Sequence, residues 1–260
     1  MMDYYKEYSP YTDPGEYAHL YDGLSSSLET INDVIHAQLI HPGRASNLVT
    51  KDNKKDEQTC ENVSSILAKL QERNPVGLSI DRKPEHRVVN NCCGHSQLMA
   101  SILKSKGIPA RLRCGFSLYP FSGFSCDHTV IEVWMNDRWL LIDPSETNTG
   151  KYFKLYERAD KFHFGWQSWQ RVRRGIDTKD RYGIAPDYPL PKSPIEFLQT
   201  ALLRDLACQF GHEMQCWYCP PFKDIGDEEA FSILDRIAEL MDSLDENRIN
   251  LEEYLNMLKI

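Results

Sequence analysis

The chain has 260 residues, 41% of them hydrophobic and 26% charged, enough to bury a sizeable core with the balance of an ordinary globular protein. Its net charge of -8 argues against nucleic acid or an anionic membrane as the main partner, since both need a basic face. No apolar run reaches membrane-spanning length and the first residues lack a signal-peptide pattern. The eight cysteines therefore read as reduced thiols in a cytoplasmic chain.

In chain order, Ser26 and Glu29 form a capping-box pair ahead of Leu28, Ile31, Ile35 and Leu39, which repeat at helical spacing. A second helix carries Val63, Ile66, Leu67 and Leu70. A third begins at Cys92 and stops at Gly107, with Pro109 preventing its continuation. Leu112, Cys114 and Phe116 then alternate with Arg111, Arg113 and Gly115, as a strand requires. After a loop, 128–135 and 139–143 read as two strands joined at Asn136-Asp137. Ser193, Pro194 and Glu196 open a helix by three independent rules, Asp227 caps another, and Asn250 with Glu253 opens the last. The order of elements predicts an α+β fold in three segments: a helical flank over 1–75, a core over 76–150, and a helical region over 151–260 packed on that core.

Chemistry concentrates in the middle segment. Cys92 stands at a helix start, where free amide N–H groups and the positive end of the dipole favour a thiolate. A thiolate nucleophile needs a base, and His128 is the candidate. A two-residue turn at Asn136-Asp137 pairs Met135 with Arg138 and hence Val130 with Asp143. His128 and Asp143 are then diagonal neighbours on one face, within reach of a hydrogen bond that would fix the imidazole tautomer. A one-residue slip in register would put them on opposite faces.

The run from Cys92 to Gly107-Ile108-Pro109-Ala110-Arg111, then His128, then Trp139-Leu140-Leu141-Ile142-Asp143-Pro144, resembles the transglutaminase-like superfamily. Spacing to Gly107 matches Cys92 rather than Cys93 to the family nucleophile. Arg113-Cys114-Gly115-Phe116, Trp169 with Arg173 and Gly175, Tyr182-Gly183-Ile184 and Leu203-Arg204-Asp205-Leu206 are similar to segments of a bacterial group of such proteins without a well-defined activity. Cys93 departs from the Arg or Trp common after the nucleophile in relatives. The resemblance implies a papain-like core, with the catalytic helix packed on an antiparallel sheet and helical flanks at both ends. It implies Cys92 as nucleophile, His128 as base and Asp143 as the group orienting it. The reaction implied is acyl transfer through a thioester, resolved by an amine or by water, on a peptide, amide or carrier-bound acyl group, with no cofactor. An oxyanion would be held by the Cys92 amide and one further donor that the sequence does not name. The alternatives are a cysteine peptidase or amidase using water only, and a binding module that keeps the fold without the chemistry.

Four residues are weaker candidates for substrate binding. His95 lies one turn after Cys92 and reads more readily as a packing residue. Glu132 shares the strand face of His128 and reads equally well as a solvated residue. Trp166 and Trp169, with Phe162 and Phe164, would wall a cleft or simply fill a seam between helices and core. His41 ends an apolar helix, and nothing in the sequence ties it to the site. Cys208, His212, Cys216 and Cys219 have the residue types of a zinc site but lack a second knuckle, so no metal is expected.

Overall fold

The computed structural model describes residues 2–44, 53–147, 150–190, 193–215 and 227–258. Eight α-helices occur in these residues: α1 Leu28–Gln38, α2 Asp56–Thr59, α3 Val63–Arg73, α4 Cys92–Ser105, α5 Gly165–Arg173, α6 Pro194–Gln209, α7 Asp227–Asp242 and α8 Leu244–Leu258. Seven strands accompany them: β1 Leu39–Ile40, β2 Val88–Val89, β3 Ala110–Phe121, β4 Phe124–Met135, β5 Arg138–Ile142, β6 Phe162–Phe164 and β7 Tyr182–Gly183. The mixture is α+β, as expected. Among the described residues no helix is long and apolar enough to cross a membrane.

The chain divides into two compact units. The first comprises 1–113, 128–159 and 208–218, so the N-terminal helices share a unit with α4. Its centre is α4, on which α1 and α3 pack, and which is buried from Cys92 to Lys104. Such a helix must satisfy its polar side chains internally. Ser101 pairs with the Tyr21 hydroxyl at 2.7 Å, Gln97 donates to the Glu213 carbonyl at 2.6 Å, and Ser96 donates to the Thr129 carbonyl at 3.3 Å, tying α4 to β4. In this unit β5 pairs antiparallel with β4 in the expected register, Met135 opposite Arg138 and Ile131 opposite Ile142. Asn136 and Asp137 both have positive φ, 54° and 58°, the conformation of a two-residue turn whose twist matches the flanking strands.

Beneath the hairpin lies a buried charge cluster. Glu132 accepts from Arg111 Nε at 2.7 Å and from Arg113 at 2.9 Å, while the Arg111 guanidinium stacks 4.0 Å over Trp139. The two arginines overcome the cost of burying the Glu132 carboxyl and hold it down to about 2.

The second unit comprises 114–127, 160–207 and 219–260. Here β6 pairs antiparallel with β3, opposing Gly115 to Phe164, and β7 pairs parallel with β4. A Cβ at Gly115 would collide with the His163 carbonyl, which is why this position carries none. Trp169 is fully buried, donates to Asp235 at 2.8 Å and stacks edge-on against Phe231 of α7.

Three local expectations need correction. The N-cap of α1 is Ser27, whose hydroxyl accepts from Thr30 N–H, and Leu39 has already left the helix for β1. β4 begins at Phe124, four residues before His128, so a tight turn at Ser122-Gly123 replaces the expected loop; Gly123 takes φ 77° there. Asn250 lies inside α8 rather than capping it, because a continuous helix from Leu244 buries Leu251.

Candidate active site

Cys92 is the first residue of α4 and is 6% exposed. The Asn91 carboxamide caps the helix, accepting from Cys93 N–H at 2.8 Å and Gly94 N–H at 3.4 Å. The Cys92 amide has no acceptor among the described residues and remains available at the helix start. Thr129 N–H donates to the Cys92 sulfur at 3.3 Å.

The structure brings His128 and Asp143 to the same thiol. His128 Nε2 lies 2.9 Å from Asp143 Oδ2, and the imidazole hydrogen-bonds to Cys92. Since Nε2 faces the carboxylate, Nδ1 is the ring nitrogen left for the sulfur. Asp143 is fully buried, and its other oxygen accepts from both Ser145 N–H at 2.9 Å and the Ser145 hydroxyl at 2.7 Å. Ser145 thereby holds Oδ2 toward the imidazole, a contribution with no sequence signal beyond its place two residues after Asp143.

Electrostatics follow from this geometry. Burial alone would raise the Cys92 thiol, but the His128 imidazole, aided by His41, brings it down to about 6. Burial opposes charge on His128, yet the Asp143 carboxylate and the thiolate hold its pKa well above the ordinary histidine value. Between these values the pair is thiolate–imidazolium. Alkylation of Cys92 by iodoacetamide should therefore rise through a midpoint near pH 6 and level off by pH 7.5. Cys60, whose thiol is pushed up by burial, should lag far behind. Peptide mapping against pH measures both, and a Cys92 midpoint above pH 8 contradicts the ion pair.

His41 is the residue sequence reasoning missed. The parallel pairing of β1 with β2 sets Ile40 beside Val89, and Asn90 N–H donates to the Ile40 carbonyl at 3.1 Å. His41 therefore arrives next to the loop that enters α4, and it hydrogen-bonds to the Cys92 sulfur. His95 is buried, its Nδ1 donating to the Asn91 carbonyl at 2.8 Å, with the rings of His36 and His41 at 5.7 and 6.2 Å. That is the packing role, and burial holds its pKa well below the ordinary value.

The remaining candidates stand elsewhere. Glu132 is neither solvated nor open to a ligand, since its carboxylate is committed to two arginines. Trp166 and Trp169 are buried in the second unit. Cys93 is fully buried, its thiol directed to the Met214 carbonyl at 3.3 Å. Of the four zinc-type residues, Cys216 and Cys219 lie outside the described residues. Among the described residues no cluster of three or more His, Cys, Asp or Glu side chains suits a metal ion.

Residues 49–144 match the family model of the transglutaminase-like superfamily, a span that includes Cys92, His128 and Asp143. That span is transglutaminase-like. One solved structure, that of a protein assigned as a cysteine protease from Cytophaga hutchinsonii, is similar at 14% identity and a TM-score of 0.37, covering 62% of this chain. The chain spans 44% of that protein's length. No curated protein matches the chain.

Proposed function

We propose that the transglutaminase-like core catalyses acyl transfer through a thioester at Cys92, with His128 as acid and base and Asp143 orienting the imidazole. The observation that carries this reading is the buried Asp143–His128 contact of 2.9 Å directed at a thiol lowered to about 6. In the first half-reaction the Cys92 thiolate attacks the carbonyl carbon of an amide, and the C=O electron pair moves to oxygen. Collapse re-forms the carbonyl and expels the amine, which takes its proton from the His128 imidazolium. The thioester remains, and His128 is neutral. In the second half-reaction His128 takes a proton from the incoming amine or water as it attacks the thioester. The new tetrahedral centre then collapses and releases the Cys92 thiolate.

An amine acceptor gives a new amide, and water gives an amidase or peptidase. The substrate class is a peptide, amide or carrier-bound acyl group. Intact-mass spectrometry with small acyl esters and anilides, with and without primary amines, tests the reading. An acyl adduct on Cys92 that decays faster with amine, yielding amide, supports amine transfer; decay indifferent to amine assigns water. The same adduct yield from Cys92→Ala, or none from the wild type, would overturn the enzyme reading in favour of a binding module.

A further inference from the structure

Acyl transfer generates an oxyanion twice per turnover, and the Cys92 amide supplies one donor for it. A second preorganised donor must stand on the far side of the thiol from the leaving group, which His128 protonates. His41 has the placement and the proton for that task. Gly43 N–H donates to His41 Nδ1 at 3.2 Å, and an amide N–H can only donate. Nδ1 is therefore the accepting nitrogen of the ring, and its N–H sits on Nε2. With Nδ1 occupied, Nε2–H is the group that His41 presents to the Cys92 sulfur. His128 differs in kind: its Nε2 is engaged by a carboxylate, so it can give and take a proton at the thiol. Among the described residues His41 has no carboxylate partner, and it meets Cys92 as a fixed donor.

The position follows from the backbone. β1 and β2 pair in register up to Ile40 and Val89, and the Asn90 amide closes the ladder on the Ile40 carbonyl. His41 is the next residue, so it approaches from the side of Asn91 and the free Cys92 amide. Thr129 N–H, the other donor to sulfur, directly follows His128 and shares the base's strand. His95 packs against the His41 ring, with centroids 6.2 Å apart.

We propose that His41 Nε2–H is the second oxyanion donor, hydrogen-bonding to the thiolate at rest and to the carbonyl oxygen once negative charge has moved there. No proton leaves His41 in either step. The assignment rests on the acyl-transfer reading above and adds a catalytic residue to it.

The test compares two reactions of the same thiol. Acylation by a small activated ester passes through an oxyanion, whereas alkylation by iodoacetamide does not. His41→Ala and His41→Phe should lose about 10²–10³-fold in acylation rate. Both should alkylate at pH 9, where the thiolate is fully formed, within about threefold of wild type. His41→Gln, whose amide keeps an N–H, should recover most of the acylation. Circular dichroism establishes that each variant is folded. If His41→Ala acylates as fast as wild type, or loses alkylation at pH 9 in equal measure, the oxyanion assignment is overturned while acyl transfer stands. A wild type that alkylates at Cys92 but never acylates overturns both.

Discussion

Asp143→Asn is expected to lower turnover by about 10⁴-fold without unfolding the protein. The size of the effect follows from Ser145. Its backbone N–H donates to Asp143 Oδ1 at 2.9 Å, and an amide N–H cannot accept. A carboxamide at this position must therefore keep its oxygen toward Ser145 and turn its NH2 toward His128 Nε2. The imidazole is then driven to the tautomer protonated on Nδ1, the nitrogen that should hold the thiol proton. Two losses combine: His128 can no longer accept from Cys92, and no carboxylate stabilises an imidazolium. The Cys92 alkylation midpoint should accordingly move up from about 6 toward the ordinary thiol range. Steady-state kinetics and the alkylation profile measure the two effects separately. Turnover within tenfold of wild type, with an unshifted profile, would remove Asp143 from the mechanism.

The second large effect concerns stability. Removing the Glu132 carboxylate leaves two buried guanidinium groups with less compensation, and breaking such a pair typically costs about 3–5 kcal/mol. Glu132→Ala should therefore melt on the order of 10 °C lower at neutral pH. The dependence on pH has a definite sign. The Glu132 carboxyl is held at about 2 in the fold against an ordinary value near 4.5, so its contribution is complete above about pH 5. That contribution, about 3 kcal/mol, is lost as pH falls through 4 toward 2. Melts at pH 7 and pH 3 should show wild type and variant converging in acid. A constant difference between them would mean that the cluster contributes through packing alone.

How far the sequence reveals these features depends on whether the signal is local. The contact between His128 and Asp143 was legible because one turn, Asn136-Asp137, sets the register of both strands. Cys92 was legible because a helix start carries its own marks in Asn91, Gly107 and Pro109. The Arg111–Glu132–Arg113 cluster is not legible from a strand that starts at His128, because only the four residues from Phe124 to Asp127 close the β3–β4 hairpin that brings the opposite charges together. His41 carried no signal of any kind. Its position depends on a two-residue parallel pairing between segments 49 residues apart, too short for periodicity to register and fixed only by tertiary packing.

The two-residue turn between β4 and β5 bears on how this protein can change length. Hairpin loops are ordinarily where chains accept insertions and deletions, because the strands they join keep their pairing. Here Asn136 and Asp137 close the end of the hairpin remote from Asp143, yet they set the distance along the chain at which Asp143 comes level with its imidazole. Adding or deleting a single residue there would leave a hairpin able to form and an acid on the wrong side of it. Length variation at this loop should be as restricted as identity at the thiol itself, and a search for tolerant insertion sites should begin elsewhere in the chain.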